Sequence, residues 1–546
     1  MAIDNLAYRL NQITTSVCDR YNSGKGKDDP ARVRRRLVVR GFNLIRETAA
    51  VWEMLKRPDR DPPVSERSSW KLPVSVAYWF LVILGSNAKG IRDLEEDDSA
   101  VLHQMRQDIK KRTDFENLRS LAARKMTWAE WQACNDQVNI SPILDELISN
   151  ADLLCITPAQ SEQPNTSYPH YKYNLANGIL IDEAANMTRA DYACVAGNCL
   201  LPCIMGGDAK QLKPLVMTGN EKDELGYFRH RLAADGAISP LLFFQATGIP
   251  VYRLTQQLRM ARGLFDWVAE EVYPELPLSY AAHCDVLLPQ YKNGRALEER
   301  VQARFPDVRW TGDPKLSPLF LHCEGSHVYV DRATGSKLCP VQVKAGLDFA
   351  VDLVTHTQIV PKDIALLCPY AANMHLATRL LNKEPYAALT GIPPPSTVDA
   401  YQGQERDIVI CVLGTAFPYP GPGFTTDENR LNVLMTRQRC GLVLVGEINM
   451  GAGERAESKG KGKGKRGKKG TIRVWGVDRE WRWVSAGLLC GIYKRLRGEG
   501  RVMRVGVKLE KEEGKKEGEK GEGEKEEEDT GAKEVLGKRK VELMTV

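Results

Sequence analysis

At 546 residues the chain is longer than one core accommodates, about 250 to 300 residues, so two or three domains are expected. A formal charge of +6 permits a nucleic-acid partner without requiring one. Thirteen cysteines include no C-x-x-C pair, and Cys194, Cys199 and Cys203 have no histidine at ligand spacing. This argues against a zinc module and for reduced thiols in an intracellular protein, cytoplasmic or nuclear. No signal-peptide pattern opens the chain, and the longest apolar run, Val74 to Leu84, falls short of the roughly 20 residues that cross a bilayer, so no membrane role is expected.

In chain order, Ile3, Leu6, Ala7 and Leu10 recur at helical spacing with no start signal before them. Residues from about 30 to 149 read as mostly helical with charged faces. The basic runs Arg32 to Arg36, Lys110 to Arg112 and Arg119 to Lys125 read first as solvated faces. Ala151 to Ile156 predicts a strand that leads to Thr157. Gly178 to Asn186, G-I-L-I-D-E-A-A-N, is an apolar run that stops at two adjacent carboxylates, Asp182 and Glu183. One reading is a buried parallel strand ending in a Mg²⁺ and water site, since ligands collect at the carboxyl ends of such strands. The other is a helix N-terminus, where acidic side chains meet unpaired N–H groups.

Leu201 to Met205 predicts a second strand, running into G-G-D-A-K-Q-L-K-P (Gly206 to Pro214) and placing Asp208 and Gln211 at the same sheet edge. Leu254 to Trp267 reads as mostly helical and carries Arg259. The grammar then repeats: a strand from Asp363 to Cys368, the segment Thr397 to Gln404 before Glu405, and a strand from Ile408 to Leu413. Glu428 to Arg439 predicts an amphipathic helix on which Arg430 and Arg437, two turns apart, share a face; the strand Leu442 to Val445 follows. Strands alternating with helices indicate an α/β fold with parallel sheets covered on both faces. After Gly451 a Gly/Lys run cannot bury a core and is expected to be disordered. A folded piece returns from Ile472 to Arg497, with Trp475, Trp481 and Trp483 to pack, before a disordered Lys/Glu/Gly tail.

These pieces, in this order, resemble the superfamily 1 helicases of the nonsense-mediated-decay (Upf/Sen-like) type, whose motor is two RecA-like domains. I-D-N-L-A-Y-R-L looks like the tail of motif Ia, A-D-L-L-C-I-T motif Ic, I-L-I-D-E-A-A the Walker B motif and G-D-A-K-Q-L-K-P motif III. Q-L-R-M resembles motif IV, T-V-D-A-Y-Q-G-Q-E-R-D-I-V-I motif V and R-L-N-V-L-M-T-R motif VI. The resemblance implies ATP and Mg²⁺ as cofactors and single-stranded RNA or DNA as partner, with proteins of RNA-decay or processing complexes alongside and a monomeric motor. Asp182 would hold Mg²⁺, Glu183 would polarise the attacking water, and Gln211, in a loop shaped by Asp208, would sense the γ-phosphate. Arg259 and Arg437 would act as arginine fingers, Glu405 would meet the ribose and Arg430 would join the nucleotide contacts. Thr157, Thr397 and Gly403 would hold the nucleic-acid backbone.

Two features depart from that pattern. No G-x-x-x-x-G-K-[ST] phosphate loop occurs: Gly24 to Lys27 lacks the spacing and the hydroxyl, and Gly462 to Lys469 places Lys469 where the hydroxyl belongs. Leu258 stands where relatives commonly place an aromatic residue that stacks on adenine. The expectation is a chain truncated within motif Ia, with an incomplete first RecA-like domain at 1–248 holding a helical insertion at about 30–149. A second domain at 249–449, a disordered basic insert at 450–470, a closing segment at 471–504 and a disordered charged tail at 505–546 are expected to follow. The motor is expected to be inactive in this form; the alternative is a degenerate helicase that binds nucleic acid or protein without ATP turnover.

Overall fold

The computed structural model describes residues 2–27, 29–61, 70–197, 199–217, 219, 221–310, 314–331, 334–450, 470–475, 480–507 and 543–545. The chain divides into two units, Met1–Val251 and Tyr252–Val546. Among the described residues no helix is long and apolar enough to cross a membrane.

The first unit opens on the helix Ala2–Asn22, whose Ala7 is buried with Ile3 and Leu10 packed beside it. Strand β1 (Val38–Arg40) pairs in parallel with β2 (Leu153–Cys155), and helices Leu44–Lys56, Val76–Leu84, Ala100–Lys111 and Ser141–Ser149 lie between them in the chain. The apolar faces of these helices close one core that runs from Ala7 to Tyr168. The run Arg32 to Arg36 is consumed internally, since Arg32 pairs with Asp97, Arg35 with Asp19 and Arg36 with Asp152. Glu47 is a fully buried carboxylate that accepts hydrogen bonds from Trp70 Nε1 at 3.0 Å, Ala77 N at 3.0 Å and Phe42 N at 3.1 Å. Burial pushes its pKa up to about 7 against those bonds.

Strands β3 (Ile179–Ile181) and β4 (Cys203–Met205) form a separate parallel pair, with Ile181 opposite Met205. Leu180 and Ile204 sit opposite each other on one face of this pair and are 62% and 67% exposed. The first unit therefore holds two short parallel sheets rather than one, and the expectation of buried strands here is corrected on that face.

The second unit carries the larger sheet. A short parallel pair, β5 (Gln256–Gln257) with β6 (Ser279–Tyr280), precedes β7 (Leu319–Cys323); β8 (Tyr329–Val330) and β9 (Lys337–Leu338) pair antiparallel. Strands β10 (Ile364–Leu367), β11 (Arg406–Val412) and β12 (Gln438–Gly446) then line up beside β7. After the antiparallel hairpin β13 (Thr471–Trp475) and β14 (Trp481–Ser485), β15 (Val502–Val507) joins the free side of β7, and β16 (Leu543–Thr545) adds antiparallel to β15. The order is β10-β11-β12-β7-β15-β16, parallel but for the last. Leu319 and Leu321 point into a core shared with Leu297 and Leu347 of the helices Lys292–Arg304 and Pro340–His356. Phe320 points the other way, onto Tyr493 of the helix Gly487–Gly498 at 5.3 Å between rings. This is the α/β, RecA-like arrangement the sequence predicts.

Four readings are corrected. Arg259 lies outside any helix, because Gln257 Oε1 takes the Arg259 and Met260 N–H groups at 2.8 and 3.3 Å and Gly263 at φ +97° bars helical continuation until Asp266. The helix expected to reach Arg439 ends at Leu434, since β12 begins pairing at Gln438; Arg437 thus follows the helix rather than sharing a face with Arg430. Trp481 and Trp483 are 44% and 43% exposed instead of packed. Val505 to Val507 and Leu543 to Thr545 are strands, not disordered tail. The runs expected to be disordered, 451–469 and 508–542, lie outside the described residues.

Candidate nucleotide and nucleic-acid site

In the first unit β3 ends at Ile181, and Asp182 and Glu183 form a turn rather than a helix cap; the next helix starts at Arg189, capped by Thr188, whose side chain accepts from Asp191 N. Asp182 is exposed, and its Oδ1 accepts the Glu183 N–H at 3.0 Å. Glu183 has φ +55°, a left-handed conformation that side chains other than glycine rarely hold without cause. The turn is stitched to the end of β4: Gly206 N donates to Ile181 O and Ala184 N to Gly206 O, both at 2.8 Å. Gly207 is required by proximity, since a Cβ there would lie 2.9 Å from Ala185 N and 3.1 Å from Ala184 N.

Asp208 organises the loop that follows. One carboxylate oxygen accepts Lys210 N at 2.9 Å and the other accepts Gln211 Nε2 at 3.1 Å. Asp182, Glu183, Asp208 and Gln211 are therefore gathered at one end of one strand pair. Thr157 is elsewhere, following β2 in the other small sheet and opening the short helix Pro158–Ser161.

In the second unit, Arg259 and Glu405 form an ion pair of 2.6 Å, and Arg259 Nη1 donates to Thr436 O at 3.2 Å. Arg437 is buried, donating to Val433 O and to Thr436 Oγ1 at 2.9 Å each, while its own carbonyl accepts Arg406 N at 3.1 Å. Arg259, Glu405 and Arg437 thus meet around Thr436, where β11 and β12 begin.

Arg430 belongs to a different group. It pairs with Asp399 at 3.1 Å and lies 4.9 Å above the Phe424 ring, which stacks on Tyr370. Burial opposes the charge on Arg430, but the Asp399 contact outweighs it and raises its pKa. Thr397 Oγ1 accepts Ala400 N at 3.3 Å, and Gly403 turns the chain into β11 at φ +74°. Asp399 and Thr436 are contacts that the sequence reading did not single out. Asp399 was the more accessible of the two, an acid two residues beyond Thr397 inside the motif V stretch.

Residues 241–449 match a family described as an AAA domain. The Dictyostelium discoideum protein named regulator of nonsense transcripts 1 is 26% identical over 322 residues, covering 56% of this chain and 20% of that protein. The ATP-dependent helicase upf1 of Schizosaccharomyces pombe is 24% identical over 66% of this chain and 36% of its own length. This chain is similar to the Upf1-like superfamily 1 helicases. A Saccharomyces cerevisiae relative, DNA polymerase alpha-associated DNA helicase A, is 23% identical over 67% of this chain and 53% of its own length. The match thus spans a fifth to about half of each of these Upf1-like relatives.

Proposed function

We propose that the chain supplies the motif Ia to VI portion of an ATP-dependent helicase motor, and that these 546 residues by themselves bind single-stranded RNA or DNA without nucleic-acid-stimulated ATP turnover. The observation that carries the reading is the stitched end of β3 and β4, which collects Asp182, Glu183, Asp208 and Gln211 in one place. In this reading Asp182 holds Mg²⁺ through water, Glu183 orients the attacking water and Gln211 senses the γ-phosphate. Arg259 and Arg437 serve as arginine fingers, with Glu405 and Arg430 as further nucleotide contacts; the Arg259–Glu405 contact supports their serving one edge of the same ligand. Thr157, Thr397 and Gly403 hold the nucleic-acid backbone.

Carboxylate oxygens at Asp182 and Glu183 suit a hydrated Mg²⁺, a hard cation that keeps several waters. ATP fits less well. Its phosphates require a cradle of backbone N–H groups and a lysine, and the 546 residues contain no G-x-x-x-x-G-K-[ST]. Leu258 is exposed, with no aromatic ring to offer a base. A monomeric binding module, open to protein partners of RNA-processing complexes, is the second reading. The test is phosphate release by the full chain with and without uridine or thymidine oligomers. No stimulation is expected, and turnover that disappears in Glu183→Gln would overturn the proposal.

A further inference from the structure

The hairpin β13–β14 sorts its side chains sharply. On one face Ile472 and Val474 are buried. That face is seated on the loop before Arg430: Trp475 N donates to Pro418 O at 3.1 Å, and a Cβ on Gly421 would come within 2.8 Å of Val474 Cγ1. The opposite face is set by register, which places Arg473 across from Trp483 and Trp475 across from Trp481. The Arg473 guanidinium lies 4.9 Å above the Trp481 ring, and Trp475 and Trp481 meet edge to face at 5.2 Å. Trp481 and Trp483 keep over two fifths of their surface in solvent, and Arg473 is exposed on the same face.

Exposed tryptophans of this kind have a cost in water that a purely structural hairpin has no reason to bear, because serine or threonine would hold the same register. The surrounding charge selects the partner. Covalently joined to this hairpin is a stretch, 459–469, with seven cationic and no acidic side chains. Cations next in sequence to flat rings with an arginine across one of them are the chemistry that holds unpaired nucleobases: phosphates attract the cations, and each base offers a π-face to a ring.

We propose that the outer face of β13–β14, carried by Trp481, Trp483 and Arg473, is a stacking platform for single-stranded nucleic acid, separate from the backbone contacts assigned to Thr157, Thr397 and Gly403. Recognition is by stacking, so it tolerates sequence and does not depend on the 2′-hydroxyl that separates RNA from DNA. It requires no bound nucleotide, and it does not rest on the motor reading.

The test uses the full 546-residue chain and fluorescein-labelled probes about twenty nucleotides long: a uridine oligomer, a thymidine oligomer and an abasic strand that keeps the phosphates alone. Trp481→Ala combined with Trp483→Ala is expected to weaken both base-bearing probes by roughly tenfold or more, and the abasic strand by less than about twofold. Trp481→Phe with Trp483→Phe is expected to retain most of the binding, because phenylalanine also stacks. Because both rings are exposed, the alanine variant keeps the Ile472 and Val474 face; unchanged hydrogen exchange in β13 verifies this. Equal affinity of the alanine variant and the parent for the uridine oligomer would overturn the proposal, as would an equal loss on all three probes. Thr397→Ala separates this from the motor reading: if it weakens binding while the tryptophan variant does not, the platform is wrong; if the tryptophan variant alone weakens binding, the motor contacts are wrong and the platform stands.

Discussion

Arg501 is fully buried immediately before β15, and the perturbation with the clearest expected outcome is Glu298→Gln, which removes its counter-charge. The guanidinium donates to both Glu298 oxygens, one of them at 3.0 Å. It also donates to the carbonyls of Arg309 at 2.9 Å, Ser317 at 3.0 Å and Pro318 at 3.4 Å. Glutamine keeps one acceptor and turns a donor toward a donor, leaving a full positive charge away from water. Breaking one side of a buried pair in this way costs about 3 to 5 kcal/mol, a large share of the 5 to 15 kcal/mol that hold a typical domain. With two units in the chain a single melting temperature is ill-defined, so the measurement is hydrogen exchange in peptides over β7 and β15. Exchange there is expected to accelerate roughly a hundredfold to a few thousandfold, with peptides over Ala2–Asn22 unchanged as an internal control. Replacing both partners, Glu298→Leu with Arg501→Met, is expected to recover part of the loss; the three carbonyls that lose a donor prevent full recovery. Unchanged exchange in β7 in the single variant would refute the claim that this pair pins the strand.

Two further outcomes are expected. Glu47 binds its proton up to about pH 7 in the folded state against 4.5 when exposed, so the folded protein holds more protons over that interval and stability falls as pH rises through it, by about 3 kcal/mol. Glu47→Gln should flatten this dependence in exchange over Leu44–Lys56, after correction for intrinsic rates; equal slopes would count against it. Gly207→Val should separate the two strand ends, because the atoms a side chain meets are the backbone nitrogens of Ala184 and Ala185 and cannot swing aside. Faster exchange at those two amides is the readout, and parent-like protection would show that the loop relaxes without loss.

The parts of the fold legible in the sequence are those where apolar runs end at polar residues: β3, β4, β10, β11 and β12 were all placed within a few residues. Strand β1 was not, because three residues just after a run of arginines leave no period to read, and two of the acids that neutralise those arginines, Asp97 and Asp152, lie far along the chain. The helix after Asp427 was overextended for a related reason. Leu431, Leu434 and Met435 continue a helical stripe, but the pairing demand of β12 is tertiary and leaves no local mark. At the candidate site, residue types were readable and partnerships were not: nothing near Arg259 in the chain announces Glu405, and nothing near Arg430 except its own motif neighbour announces Asp399. The exposure of the β14 tryptophans is not legible in composition, because aromatic content predicts burial on average, whereas alternation along a hairpin decides which rings face out.

The position of β15 has a consequence for how the protein is made. On the ribosome, β7 emerges with β10, β11 and β12 well before its other neighbour, and until Val502 to Val507 follow, its outer edge offers unpaired amides and carbonyls. Such a late closing strand gives the sheet a long-range contact that forms only after all its other parallel strands have been made, the class of contact that slows folding. During that interval the nascent sheet is exposed to pairing with a neighbouring nascent chain, so translation speed after Met450, rather than the stability of the finished protein, should govern how much of it escapes aggregation.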